Sequence, residues 1–145
     1  MQSRYKDICI ALINDAEVDM NAARILLDSK IYSKSIYHSQ QCVEKMLKAM
    51  LALNAIIITD EHNVSDKLTL LFSKFNQIKE VIQEARKLER HGSRPRYPLF
   101  YDPIKPIWEP SKEYKKNDAE EAITIADKVH NVIFNFIKEK YGITK

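Results

Sequence analysis

The sequence predicts an all-α fold, an antiparallel up-and-down bundle of four main helices with a long proline-rich loop between the third and the fourth. Three observations predict it. Apolar residues recur at the helical period in four separate segments. Glycine occurs only at Gly92 and Gly142, fewer than the turns of a sheet protein of this length would need. All five prolines (Pro95, Pro98, Pro103, Pro106, Pro110) fall in one stretch, residues 92–116. At 145 residues the chain has the size of one domain, which buries roughly 68–70% of its unfolded surface, so a single domain over 1–145 is expected.

The first helix is expected over residues 4–28, with Ile8, Leu12, Val18, Ala22, Ile25 and Leu26 on its apolar face. The second, over 33–54, places Ile36, Val43, Met46, Leu47, Met50 and Leu53 on one side. Lys34, Tyr37, His38, Gln41, Glu44, Lys45 and Lys48 share the other. The third runs over 65–91 through Leu68, Leu71, Phe75, Ile78, Ile82, Ala85 and Leu88, with a kink near Asn76. Asn63 or Ser65 is its candidate N-cap and Gly92 its C′ residue. The fourth opens with Asn117 and Glu120 in a variant capping box and ends near Gly142. Its core positions are Ala122, Ile123, Ala126, Val129, Ile133, Phe136 and Ile137. No single helix of this kind can hide its apolar stripe alone, so four joined by short connections form a bundle.

The stretch 92–116 is expected to be non-helical. It carries Tyr97, Phe100, Tyr101, Trp108 and Tyr114, and aromatic side chains at this density predict a loop docked on the bundle or on a partner. Hydrophobic residues make up 45% of the chain and charged residues 30%, which excludes a disordered or membrane-spanning class. The N-terminus has neither the charge pattern nor the apolar length of a signal peptide, so a cytoplasmic location is expected. Cys9 and Cys42 lie in helix-patterned segments without zinc or redox spacing and are expected as small core fillers. No metal site and no cofactor are expected, since no Gly-rich phosphate loop or helical His/carboxylate cluster is present.

A formal net charge of +3 names no partner, but its distribution is informative. Between Arg86 and Arg96 stand Arg86, Lys87, Arg90, Arg94 and Arg96 against the single acid Glu89. A patch of this kind attracts phosphates, and a solvated basic helix end is the plainer reading. The polar side of the second helix has the same two readings. It is either a solvent face or a groove lined by Gln41, Glu44, Lys45 and Lys48, in which the donors of this stripe and of Arg90, Arg94 and Arg96 grip phosphate oxygens while Tyr97 and Trp108 stack on bases. His38 and His62 are expected as a surface histidine and a residue at the start of the third helix.

The second helix reads Gln40-Gln41-Cys42-Val43-Glu44-Lys45-Met46-Leu47-Lys48-Ala49, which resembles the QQ-x-x-E-K-x-x-K-A signature of HEPN (higher eukaryote and prokaryote nucleotide-binding) domains. Supporting similarities are residues 16–27, the Glu61-His62 turn, Arg96-Tyr97-Pro98 and the alanine-rich segment 118–132. The resemblance implies a helical bundle that forms a homodimer and binds nucleotides or RNA. It also implies, as partner, a minimal nucleotidyltransferase encoded alongside, often in a toxin–antitoxin module. A catalytic subset of that family are metal-independent ribonucleases with an arginine, four to six residues and a histidine, a spacing matched by Arg86 and His91.

The chemistry suits the pair. Cleavage through the 2′-OH needs a group that moves protons near neutral pH and a cation for the pentacoordinate phosphate. Five residues along a continuous helix, however, leave the two side chains roughly 140° apart. They converge only where the helix ends, which Gly92 allows. Catalysis, non-catalytic phosphate binding and a solvated helix end are three readings of the same residues. For the chain they correspond to an endoribonuclease toxin, to a nucleotide- or RNA-phosphate-binding partner, which is the leading expectation, and to a purely structural dimerisation subunit.

Overall fold

The computed structural model describes residues 3–58, 64–101, 103 and 105–144. The chain is an all-α bundle with one small hairpin. Its elements are α1 (Ser3–Asp28), α2 (Tyr32–Ala52), α3 (Ser65–Phe72), α4 (Asn76–Glu89), β1 (Leu99–Phe100), β2 (Ile107–Trp108), α5 (Pro110–Glu113) and α6 (Lys116–Tyr141).

Helix α2 is the hub, touching α1, α3, α4, α5 and α6. Of its residues only Lys34 is exposed. The expected solvent face is therefore half-buried, because α1, α4 and the loop close over the polar stripe while Ile36, Met46, Leu47, Met50 and Leu51 lie wholly inside. Burying each such side chain contributes about 1.5–3 kcal/mol. Ile13 and Met20 from α1, Leu68, Ile78 and Leu88 from α3 and α4, and Ile133 and Ile137 from α6 complete the core.

The expected face of the first helix is partly covered, with Ile8 and Leu12 packed half-buried against the core and Ala22 and Leu26 half-buried. Cys9, Ile13, Ala16, Met20 and Ala23 are buried, whereas Val18 and Ile25 are 62% and 65% exposed. The buried line runs one residue round from the expected one, through Cys9, Ile13 and Ala23 beside Ile8, Leu12 and Ala22. Cys9 and Cys42 are both buried free thiols, and burial pushes them up to about 11 and about 12.

The third predicted helix is two. The chain breaks at Ser73–Phe75, where Phe75 turns extended (φ −104°, ψ 104°) and enters an aromatic cluster with Phe72 and Phe136. Leu71, expected in the core, is 44% exposed because the break rotates this end away. The N-cap of α3 is Val64, and Ser65 sits inside the first turn with its hydroxyl on Glu89. Asn63 and the Glu61-His62 turn lie outside the described residues. Helix α4 ends at Glu89, two residues before the expected end, and Gly92 takes the left-handed backbone (φ +55°) in the turns that follow. Helix α6 starts at Lys116, so the Asn117–Glu120 box is replaced by Asp118, whose carboxylate accepts the Lys115 backbone N–H at 2.8 Å.

Among its described residues the proline-rich stretch forms the β1–β2 hairpin (Leu99 opposite Trp108) and the single turn α5. Helix was not expected here. Pro110 permits it by standing at the first helical position, where a missing N–H costs nothing. Trp108 and Tyr114 are 7% exposed and dock the loop, while Tyr97, Phe100, Tyr101 and Ile107 face outward. Among the described residues no helix is long and apolar enough to cross a membrane.

Candidate functional site

The signature glutamines divide their labour. Gln40 donates from Nε2 to the carbonyls of Leu88 (3.0 Å) and Gly92 (3.2 Å), so it closes the open C-terminal end of α4 onto α2. Gln41 donates to Glu44 (3.3 Å), which pairs with Lys48 at 3.4 Å. Glu44 and Lys48 have side chains only 11% exposed, so the pair is a packed element of the bundle rather than a surface ion pair. Gln40, Gln41, Glu44, Glu89 and Arg96 wall a cavity of about 330 Å³. Ser65 donates to one Glu89 oxygen, the other has no partner among the described residues, and burial raises the Glu89 pKa.

Lys45 leaves the expected stripe and turns to α1. Its ammonium is held by Asp15 and Asp19. Burial works against its charge, but the two carboxylates outweigh burial and its pKa is raised. Asp19, 8% exposed, also meets His38, whose Nδ1 lies 2.9 Å from Oδ1. His38 is thus half-buried and oriented by a carboxylate, not the plain surface histidine of the sequence reading. Asp15 and Asp19 were missed because each sits on α1 at a position that the pattern gives no reason to single out.

The arginines of the loop part company. Arg94 lies over Trp108 (5.8 Å from the ring centroid), and its carbonyl accepts the Trp108 indole N–H at 2.9 Å, so it secures the loop. Arg96 lies between Tyr37 (5.9 Å) and Tyr97 (6.0 Å), and its carbonyl accepts the Lys34 ammonium. Its Nε is buried without a partner among the described residues. Besides the first cavity, Arg96 lines two more. One of about 430 Å³ is shared with Lys34, Tyr37 and His38; the other, about 410 Å³, is shared with Lys34 and walled by Tyr97, Pro98, Phe100 and Ile107.

Arg86 and His91 are not brought together within the chain. The Arg86 guanidinium reaches back to Asp66 (2.8 Å) and the Thr69 hydroxyl (3.3 Å) on α3, beside a cavity that the exposed Arg90 also lines. His91 shares a hydrogen bond between Nδ1 and the Tyr114 hydroxyl (2.9 Å) and lines a separate cavity of about 40 Å³ with Lys87, Asp118 and Glu121. Burial lowers the His91 pKa and Arg94 adds to the lowering, against the pull of Asp118 and Glu121.

The chain is similar to known proteins over most of its length. The model of the HEPN domain matches residues 10–139. A protein of Methanocaldococcus jannaschii named "Putative toxin MJ1304" is 41% identical over 137 residues, which cover 90% of this chain and 89% of that one. The crystal structure of ST0689, an archaeal HEPN homologue, superposes with a TM-score of 0.68 at 29% identity, covering 90% of this chain and 98% of that one. TT1696 from Thermus thermophilus gives 0.69 at 21% identity, over 91% and 97% of the two chains, and shares the fold. The family model alone spans well over half of the sequence, and the signature on α2 stands within it: the chain belongs to the HEPN domain family.

Proposed function

We propose that this HEPN protein binds nucleotide or RNA phosphate at the junction formed by Arg96, as the helical, homodimeric partner of a minimal nucleotidyltransferase in a toxin–antitoxin module. The observation that carries the binding reading is the position of Arg96. One guanidinium stands between two tyrosine rings and borders three cavities, with Lys34 beside it and outward aromatic side chains adjoining. Arg96 and Lys34 supply the phosphate contacts, and Tyr97 with Phe100 supplies faces on which bases stack. Glu44 and Glu89 make the first cavity the less suitable for an anion, so phosphate occupies the Lys34 side. The toxin role is supported by the relative named as a toxin. The homodimer is supported by the outer side of α1, where the apolar Val18 and Ile25 are open.

The test is fluorescence anisotropy of a labelled single-stranded RNA and of labelled ATP, against the wild type and Arg96→Ala. Binding weakened tenfold or more in the variant supports the reading, and equal affinity overturns it. Light scattering on the wild type and on Val18→Glu decides the dimer.

A second reading, a metal-independent endoribonuclease using Arg86 and His91, draws on the lowered His91 pKa, which leaves a neutral imidazole able to accept a proton near pH 7. The two groups open on different cavities, so this chemistry requires a dimer cleft that joins them.

A further inference from the structure

We propose that His38, oriented by Asp19, is a general base for cleavage of an RNA phosphodiester seated on Arg96 and Lys34; this rests on the binding reading above. Three observations converge. The first is a carboxylate–imidazole pair: Asp19, buried between α1 and α2, engages His38 through Nδ1 at 2.9 Å. This fixes the ring and leaves Nε2 as the nitrogen with no hydrogen-bond partner among the described residues. The His38 side chain is 32% exposed against 11% for Asp19, so the dyad is buried at the carboxylate end and open at the imidazole end. That is the polarity a working His–Asp pair needs.

The second is what the imidazole faces. His38 lines the cavity of about 430 Å³ with Lys34, Tyr37 and Arg96. The Tyr37 ring lies 5.2 Å from the His38 ring and 5.9 Å from the Arg96 guanidinium carbon, so it stands as a spacer between base and cation. The third is the supply of charge behind the dyad. Lys45 holds Asp15 and Asp19, so the carboxylate that orients His38 is itself fixed. Asp19 is a positioning residue; His38 and Arg96 would touch the substrate.

The step balances without metal or co-reactant. His38 Nε2 takes the proton of a ribose 2′-OH, and the 2′-oxygen forms a bond to the adjacent phosphorus. Arg96 and Lys34 stabilise the pentacoordinate phosphate. The P–O5′ bond breaks, and the 5′-oxygen takes a proton from solvent, to which His38 later returns its own. The products are a 2′,3′-cyclic phosphate and a 5′-hydroxyl. Nothing is oxidised or reduced.

The experiment incubates the full chain with a 5′-labelled single-stranded RNA in EDTA and follows product ends, with anisotropy on the same RNA. His38→Asn is the decisive variant, because its side-chain amide keeps an N–H for Asp19 while Nε2 is removed. The expected result is cleavage by the wild type to cyclic-phosphate ends and, in His38→Asn, a loss of a hundredfold or more in kcat that far exceeds any change in RNA affinity, with cooperative thermal unfolding retained. Asp19→Asn is expected to lower kcat at least tenfold with KM for the RNA in place. Cleavage that survives His38→Asn, or that is lost only in Arg86→Ala or His91→Ala, overturns the proposal. Bound but uncut RNA overturns the His38 step and leaves the binding reading standing; absence of RNA binding overturns both.

Discussion

The end of α4 and the first half of α2 carry the same kinds of side chain, and the fold puts them to opposite use. At the end of α4, Arg86 is turned back onto Asp66 and His91 onto Tyr114, and each borders its own cavity. Beside α2, His38 and Arg96 come from segments far apart in the chain and wall one cavity. Close spacing along a helix separates side chains by rotation, whereas tertiary packing joins residues whose spacing carries no signal. Convergence is a property of the bundle, and a motif read along the chain only nominates candidates.

The comparison can be broken most forcefully at the charges beneath each cluster. Lys45→Ala leaves Asp15 and the buried Asp19 without their cation, and is expected to cost about 3 kcal/mol in urea unfolding. Asp66→Ala, which removes the more exposed partner of Arg86, is expected to cost under about 1 kcal/mol. Equal losses would erase the distinction between a buried cluster and a surface one. On ligand binding, the tenfold weakening expected for Arg96→Ala corresponds to about 1.4 kcal/mol, and Arg86→Ala is expected to change RNA affinity less than twofold. A reversal of those two would move the site to α4.

Smaller effects sharpen the picture. Gln40→Ala removes two hydrogen bonds that close the end of α4 and is expected to destabilise by about 1 kcal/mol. It should also raise hydrogen exchange at the amides of residues 88–92 before those of α1. The smallest effect is a slope. Because burial lowers the folded pKa of His91, its contribution is complete above the unfolded value near 6.5 and is lost as pH falls through the lowered folded value. Thermal midpoints measured from pH 7.5 to 5 are expected to fall less steeply for His91→Gln than for the wild type.

Much of the fold was legible because helical periodicity reports burial directly. The α2 core, the apolar residues of α4 and the inner stripe from Ala122 to Ile137 on α6 follow from it. What was not legible has a physical cause in each case. On α1 the expected and the buried lines lie one residue apart, and only the partner helices decide which is covered, so Val18 and Ile25 were placed inside and lie outside. The break at Phe75 reflects an aromatic cluster built with Phe136, a residue far along the chain on α6. Of the candidate site, Arg96 and Gln41 were nominated from the sequence motifs. Asp19 was not, since a lone acid among the many polar residues of α1 acquires its meaning only from His38 and Lys45 across the helix pair.

The hub position of α2 bears on how this molecule can change. The helix that places Tyr37, His38 and Gln41 at the cavities of the proposed site also supplies Ile36, Met46, Leu47 and Met50 to the core and meets five other helices. A substitution that alters a covered residue of α2 therefore bears on the stability of the whole chain, while the loop bearing the exposed Tyr97, Phe100 and Ile107 stands outside that constraint. On the proposed binding reading, change of ligand preference is channelled into the loop with the helix as its fixed half, and laboratory selection for altered binding is expected to find its viable variants at residues 97–107.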